Sequence, residues 1–366
     1  MFAGCSSLKS LDVSNLTGNV TLMDGMFAGC SNLTTLDVSN LKTSKVSNMS
    51  NVFKGCTKLE SIYCDNTWSC DNSTDMFAGC TALKGAVAFD ASKTDASMAN
   101  PKTGYFCGKT YVVIDKGTLS FYRDYQRKSR TGTSYLITER NAEDDSFPIW
   151  ADNTTIKKVV IDDSFIAYAP SSTSKWFANC TALETVEGLE NINSKTLLSS
   201  SFMFYDCSSL TSISGFNFSG LWLENTSYMF AGCSKLASLD VSGISAIWVT
   251  DMSNMFAGCS NLTSLDLSKS DVQSVTNMSR MFAGCSNIKT IVIKDSSAKI
   301  FGVDKVTDMS EMFKGCAKLE TIHCVDTWTC DNSTDMFAGC TSLKGAVAYD
   351  PTKTDASMAN PETGYF

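Results

Sequence analysis

The sequence predicts an α/β repeat solenoid of leucine-rich-repeat-like turns, each running strand, loop and helix, with a parallel sheet along one face. Two observations carry this. First, a phrase M-F-x-G-C followed by an L-x-x-L spacing keeps returning: Met26-Phe27-Ala28-Gly29-Cys30 with Leu33 and Leu36, Met229 to Cys233 with Leu236 and Leu239, Met255 to Cys259 with Leu262 and Leu265. Its copies end at Cys5, Cys30, Cys56, Cys80, Cys180, Cys207, Cys233, Cys259, Cys285, Cys316 and Cys340, mostly about 24 to 27 residues apart. Self-similarity at that period marks stacked units, none of which buries its apolar face alone. Second, residues 52–106 match residues 312–366 at a constant offset (316 − 56 = 260), with 43 of 55 positions identical. Both stretches close on Ala-Asn-Pro-x-Thr-Gly-Tyr-Phe.

Within a turn, Leu262, Leu265 and Leu267 alternate with Ser264, Asp266 and Ser268, the pattern of a short strand with its polar side outward. Val249, Met252, Met255, Phe256 and Cys259 then recur at helical spacing, with Thr250 or Asp251 as the expected N-cap and Gly258 as the stop. Asp308 and Glu311 have capping-box spacing in a later turn. Strands of successive turns are expected to stack at about 4.8 Å, with helices on the opposite side.

Residues 107–154 break the rhythm. Tyr111–Ile114, Leu119–Tyr122 and Ser134–Ile137 read as strands separated by Lys116-Gly117 and Arg130-Thr131-Gly132 turns. The expected organisation is therefore the C-terminal part of a first solenoid with its closing cap (1–106), a β-rich intervening module (107–154), and a second solenoid with its cap (155–366). The module is expected to cover the first strand edge of the second solenoid, near Val159-Val160-Ile161, since an uncovered edge invites aggregation. Met1 opens a copy of the phrase, which reads as an internal methionine of a longer chain with further repeats upstream.

Composition narrows the function classes. Charged residues make up 19% of the 366 and the net charge is −8, which argues against nucleic acid and anionic membrane surfaces. No run approaches the roughly 18 apolar residues of a membrane span.

At the level of whole phrases, Val249-Thr250-Asp251-Met252-Ser253-Asn254-Met255-Phe256-Ala257-Gly258-Cys259 and Leu262-Thr263-Ser264-Leu265-Asp266-Leu267-Ser268 resemble BspA-like bacterial surface proteins. The resemblance covers nearly all of 1–106 and 155–366. It implies a secreted or surface-anchored, non-catalytic protein used for adhesion to host or bacterial partners, and it supplies no binding-residue motif to carry over.

The candidate sites follow from the residues. The repeat cysteines place one thiol per turn, read as reduced core thiols with ladder disulfides as the alternative. Cys64 and Cys70, around Trp68, recur as Cys324 and Cys330 around Trp328. Each pair is read either as a loop-closing disulfide in an oxidising compartment or as two separate thiols. His323, the lone histidine, has Tyr63 as its counterpart, so it is read as an outward surface residue. No G-x-S-x-G, phosphate loop or H-E-x-x-H supports an enzyme. The outward strand column carries Asp12, Asp37, Glu187, Asp240 and Asp266. These are expected to bond nearby turn backbone, with Ca²⁺ ligation the alternative. Trp222 and Trp248 each lie fifteen residues beyond their repeat cysteine, where other turns have Lys45 and Ser274. They are expected to stack as neighbours, either as an apolar binding platform or as a packing plug.

The function expected from this reading is non-catalytic adhesion at the bacterial cell surface, with protein or glycan ligands contacting Trp222, Trp248, Asp240 and Asp266. No nucleic acid, membrane insertion or resident cofactor is expected. A structural spacer stalk and an intracellular interaction scaffold are the alternatives.

Overall fold

The computed structural model describes residues 1–13, 15–16, 20–124, 126–137, 147–213, 215–216, 218, 220, 222–270, 272–293 and 303–366. The chain divides into two compact units, residues 1–112 with 122–137, and residues 113–121 with 138–366. The intervening residues are thus shared between the two units and do not form a third.

In unit 1, β1 (Thr35–Asp37), β2 (Ser61–Tyr63) and β3 (Phe106–Cys107) pair in parallel, with Leu36 opposite Ile62 and Ile62 opposite Phe106. Next come β4 (Lys109–Asp115), β5 (Thr118–Asp124) and β6 (Thr133–Leu136), at the positions the sequence marks as strands. In unit 2, residues 118–121 of β5 pair in parallel with β7 (Lys158–Ile161), which pairs with β8 (Thr185–Glu187), which pairs with β9 (Ser212–Ile213). The expected cover over the Val159–Ile161 strand is therefore present. A separate parallel sheet follows, of β10 (Ser264–Asp266), β11 (Thr290–Val292) and β12 (Thr321–His323), in register through Leu265, Ile291 and Ile322. A second, thinner ladder of single parallel bridges runs through Ser199, Asn225, Asp251, Asn277, Asp308 and Asn332.

The expected helices do not form. Among the described residues there is no α-helix, and the fold is a β-solenoid. Residues 249–259 show why. The N–H groups of Asn254, Phe256 and Gly258 donate to Ser279, Met281 and Ala283 of the next turn at 2.9, 2.9 and 2.7 Å. The intervening N–H groups of Met255, Ala257 and Cys259 close back three residues, onto Met252, Asn254 and Phe256. Alternate donors are thus committed to a neighbouring turn, which no α-helix allows. Asn254 and Gly258 also have φ of 57° and 74°, two left-handed residues four apart. Apolar residues three or four apart can satisfy successive tight turns as readily as a helix, so the spacing alone does not separate the two.

The expected caps act as turn locks. Asp251 and Asp308 accept the backbone N–H of Ser253 and Ser310 at 2.9 and 2.8 Å. Asn225 and Asn277 do the same for Ser227 and Ser279.

Burial follows the same columns. In unit 2 the rings of Phe204, Phe230, Phe256, Phe282, Phe313 and Phe337 stack one per turn, with centroids 5.4 to 5.8 Å apart. Phe2, Phe27, Phe53 and Phe77 do so in unit 1. Each unit also closes alike. Tyr105 donates its hydroxyl to the carbonyls of Asp90 and Lys93, and Tyr365 to those of Asp350 and Lys353.

The left-handed positions make the fold testable. Gly258→Val is expected to lower stability by about 2 kcal/mol in urea unfolding, because a side chain there meets left-handed strain. Asn254→Gly is expected to change it by less than about 0.5 kcal/mol.

Candidate functional site

The thiol column has a chemical role in the fold. Cys56 Sγ donates to the Phe27 carbonyl at 3.1 Å, Cys233 to Phe204 at 3.2 Å, Cys259 to Phe230 at 3.2 Å and Cys340 to Phe313 at 3.0 Å. Each carbonyl already accepts the N–H three residues on, so the thiol satisfies its second lone pair. All sixteen cysteines are thiols. Burial pushes Cys56, Cys80, Cys285 and Cys340 up to about 12, and Cys207, Cys233, Cys259 and Cys316 well above their ordinary value. Such groups are poor nucleophiles and poor metal ligands.

Cys64 and Cys70 donate to separate carbonyls, of Asn66 and Asn72, at 3.3 and 3.4 Å, and Cys324 and Cys330 use the equivalent Asp326 and Asn332. In the structure each pair is two thiols, one buried and one half-buried. His323 is exposed and lines a shallow depression with Ile322, Lys344 and Phe366 in which no carboxylate faces the imidazole.

Two members of the outward acidic column are ion-paired within the protein. Asp37 pairs with Lys109 at 2.7 Å and Glu187 with Lys158 at 2.8 Å. Asp240 and Asp266 accept the N–H of Ser242 and Ser268, both at 2.9 Å, which is the turn-bonding role expected of them. Hydrogen bonds from Ser242 hold the Asp240 carboxyl below its ordinary value. Among the described residues no cluster of three metal-ligating side chains occurs.

Asp240 and Asp266 do share a groove. Together with Ser212, Ile213, Ser238, Leu239, Ser264 and Leu265 they line an open depression of about 490 Å³ on the strand face of unit 2. It exists because the parallel ladder is interrupted there. Residues 238–240 join no strand, and among the described residues the single backbone bond retained is from Thr263 N–H to the Ala237 carbonyl, at 3.3 Å. Leu239 is consequently half-buried where its equivalents Leu265 and Ile291 are buried.

The cause lies in the strand exits. Turns through Val186 and Ile213 leave their strands at Gly188 and Gly215, with φ of 78° and 72°. Turns through Leu239 and Leu265 leave through an Asp-x-Ser bend. The two designs meet between residues 213 and 239. The sequence signal was the paired V-E-G and I-S-G where other turns have L-D-V or L-D-L, and the sequence reading passed over it.

Trp222 and Trp248 occupy these same two turns and are 60% and 55% exposed. They make no ring contact with each other, so the expected stack does not form.

An aromatic group that was not anticipated does stack. The residue before each M-F pair is left-handed: Asn51 and Asp75 in unit 1, and Lys175, Phe202, Tyr228, Asn254, Arg280, Glu311 and Asp335 in unit 2. Phe202 and Tyr228 are the two aromatic members of that column, beside the large side chains of Lys175, Arg280 and Glu311. Their rings lie parallel within 7°, with centroids 4.5 Å apart.

A solenoid of stacked tight turns with a phrase that recurs in each of them defines a repeat protein. The chain belongs to the family described as "Mycoplasma protein of unknown function, DUF285", whose pattern matches residues 1–98, 171–295 and 224–350. Among solved structures it is similar to a leucine rich cell surface protein from Faecalibacterium prausnitzii A2-165, at 17% identity and a TM-score of 0.24, over 94% of this chain and 71% of that one. No curated protein matches the chain. Among the described residues, no helix is long and apolar enough to cross a membrane.

Native protein treated with iodoacetamide at pH 8 is expected to be modified only at the half-buried Cys5, Cys70 and Cys330, read by peptide mass spectrometry. Because folding raises the column thiols above 9.0, their contribution to stability is complete below about pH 9. It falls as pH rises towards their folded values near 12. Urea midpoints measured from pH 7 to 11 are expected to decline from about pH 9.

Proposed function

We propose that this chain is the ligand-presenting repeat segment of a cell-surface protein and acts by binding, without catalysis. The observation that carries the reading is the concentration of surface features in neighbouring turns of unit 2, residues 207–266, that the repeat itself does not require. An interrupted strand ladder opens a groove carrying Asp240 and Asp266, and the same turns expose Trp222 and Trp248. Exposed tryptophans at rigid positions are typical binding anchors, and a preformed scaffold limits the ordering cost of association. The surface location and adhesive role follow the BspA-like repeat pattern, with host or bacterial surface proteins or glycans as ligands.

The regular stacking of the turns from residue 259 onward supports a second reading, a spacer that holds a distal domain away from the cell.

A binding array of extracellular-matrix proteins and glycans separates the two. The intact chain is expected to bind at least one component, and Trp222→Ala/Trp248→Ala to weaken it by about tenfold or more, since an aromatic anchor contributes about 2 kcal/mol. Binding that survives the double substitution moves the site to the Asp240–Asp266 groove or elsewhere on unit 2. No binding by the intact chain selects the spacer.

A further inference from the structure

The left-handed column of unit 2 changes character along the solenoid. Beyond Asn254 it is ionic and paired: Arg280 bonds Glu311 at 2.6 Å, and Lys314 bridges Glu311 and Asp335 at 3.1 and 3.0 Å. Before Asn254 it runs from Lys175 to two aromatic residues. Phe202 and Tyr228 have φ of 58° and 56°, a conformation that large side chains disfavour; Asn51, Asp75, Asn254 and Asp335 adopt it in other turns, as do Lys175, Arg280 and Glu311. Bulky residues held there cost stability, and such strain collects at functional positions. Tyr205 stands at 60° to Phe202 and 66° to Tyr228, with centroids 5.4 and 6.2 Å away, so the three rings form a corner. All three are half-buried. The Tyr205 and Tyr228 hydroxyls have no protein partner among the described residues. Lys175 lies over the rings of Phe147 and Phe202, at 4.7 and 5.9 Å from their centroids, and closes one end.

We propose that Phe202, Tyr205 and Tyr228 form a recognition site for a pyranose ring of a neutral glycan. The inference rests on the surface-binding reading and assigns it a ligand class and a place distinct from Trp222 and Trp248. A sugar ring offers apolar C–H faces beside hydroxyl edges, which matches rigid aromatic rings rimmed by two phenol hydroxyls. The site is small, bounded by exposed Asp206 and by Asn254. The charges further along the column are already paired with each other, so an ionic ligand finds no partner there.

The test uses the intact chain and an array of neutral oligosaccharides ending in hexoses or N-acetylhexosamines, with saturation-transfer NMR on each hit. Phe202→Asn/Tyr228→Asn places at both positions a residue the fold already accepts at Asn51 and Asn254. Its affinity is expected to fall by about tenfold or more, while the melting temperature stays level or rises as strain is relieved. Should that variant melt lower by more than about 5 °C, Tyr205→Phe/Tyr228→Phe decides the matter. It keeps the rings and removes only the hydroxyls, and a severalfold weaker affinity is expected. An unchanged affinity in that variant overturns the site. A glycan released by the Trp222/Trp248 substitutions but retained by the asparagine variant also overturns the site, and leaves surface binding standing. Failure of the intact chain to hold any neutral glycan overturns the ligand class, and capture of a protein on the matrix array would then keep the broader reading.

Discussion

The alternation of backbone donors along each M-F-x-G-C phrase is the constraint on which the rest depends. One N–H closes a tight turn three residues back, and the next reaches across to the neighbouring turn. No turn can therefore satisfy its own backbone, and stability is shared between neighbours, as expected of a quasi-one-dimensional array. The alternation also requires two left-handed residues four apart. This explains the recurring glycine before the cysteine, and the Gly, Asn or Asp that precedes the methionine position in half of the turns. The inward columns then follow from geometry. Phenylalanine rings repeat at the spacing of the backbone, and the cysteine fills the remaining space while its Sγ–H caps a phenylalanine carbonyl.

The cysteines are therefore better understood as small apolar donors than as redox groups. A serine would offer the same bond but adds a strongly solvated hydroxyl in a dry column, and an alanine would leave the carbonyl lone pair unmet. Burial drives the thiols further from ionisation, and their even spacing leaves each one occupied by its own carbonyl.

With the inward columns committed, variation is left to the outward ones. Ion pairs between adjacent turns, such as Lys54 with Asp75 and Arg280 with Glu311, are exposed or half-exposed and worth little individually. The departures from the repeat lie together in residues 202–266 of unit 2: the ladder break between residues 213 and 239, the two exposed tryptophans, and the aromatic corner. The ladder break arises where turns leaving their strands through glycine meet turns leaving through an Asp-x-Ser bend. A mismatch between neighbouring repeats is thus a physical route by which a regular array acquires a distinctive surface.

The repeat period, the strand positions at Leu265 and Val159, the β-rich intervening residues and the turn-bonding role of Asp240 and Asp266 were all legible in the sequence. Each depends on local residue type or on self-similarity. The helices were not. An apolar residue every third or fourth position is compatible with either an α-helix or a run of tight turns, and only the neighbouring turn, by taking every second donor, decides between them. The same holds for the surface. The sequence marked Trp222 and Trp248 as unusual and left their mutual placement open, while the groove and the Phe202–Tyr228 stack exist only once turns are laid side by side. What the sequence determined by itself was the unit and its repetition, because these are local patterns. What the tertiary structure decided was where adjacent units fail to match, because a mismatch is a property of two turns in contact and of neither one alone.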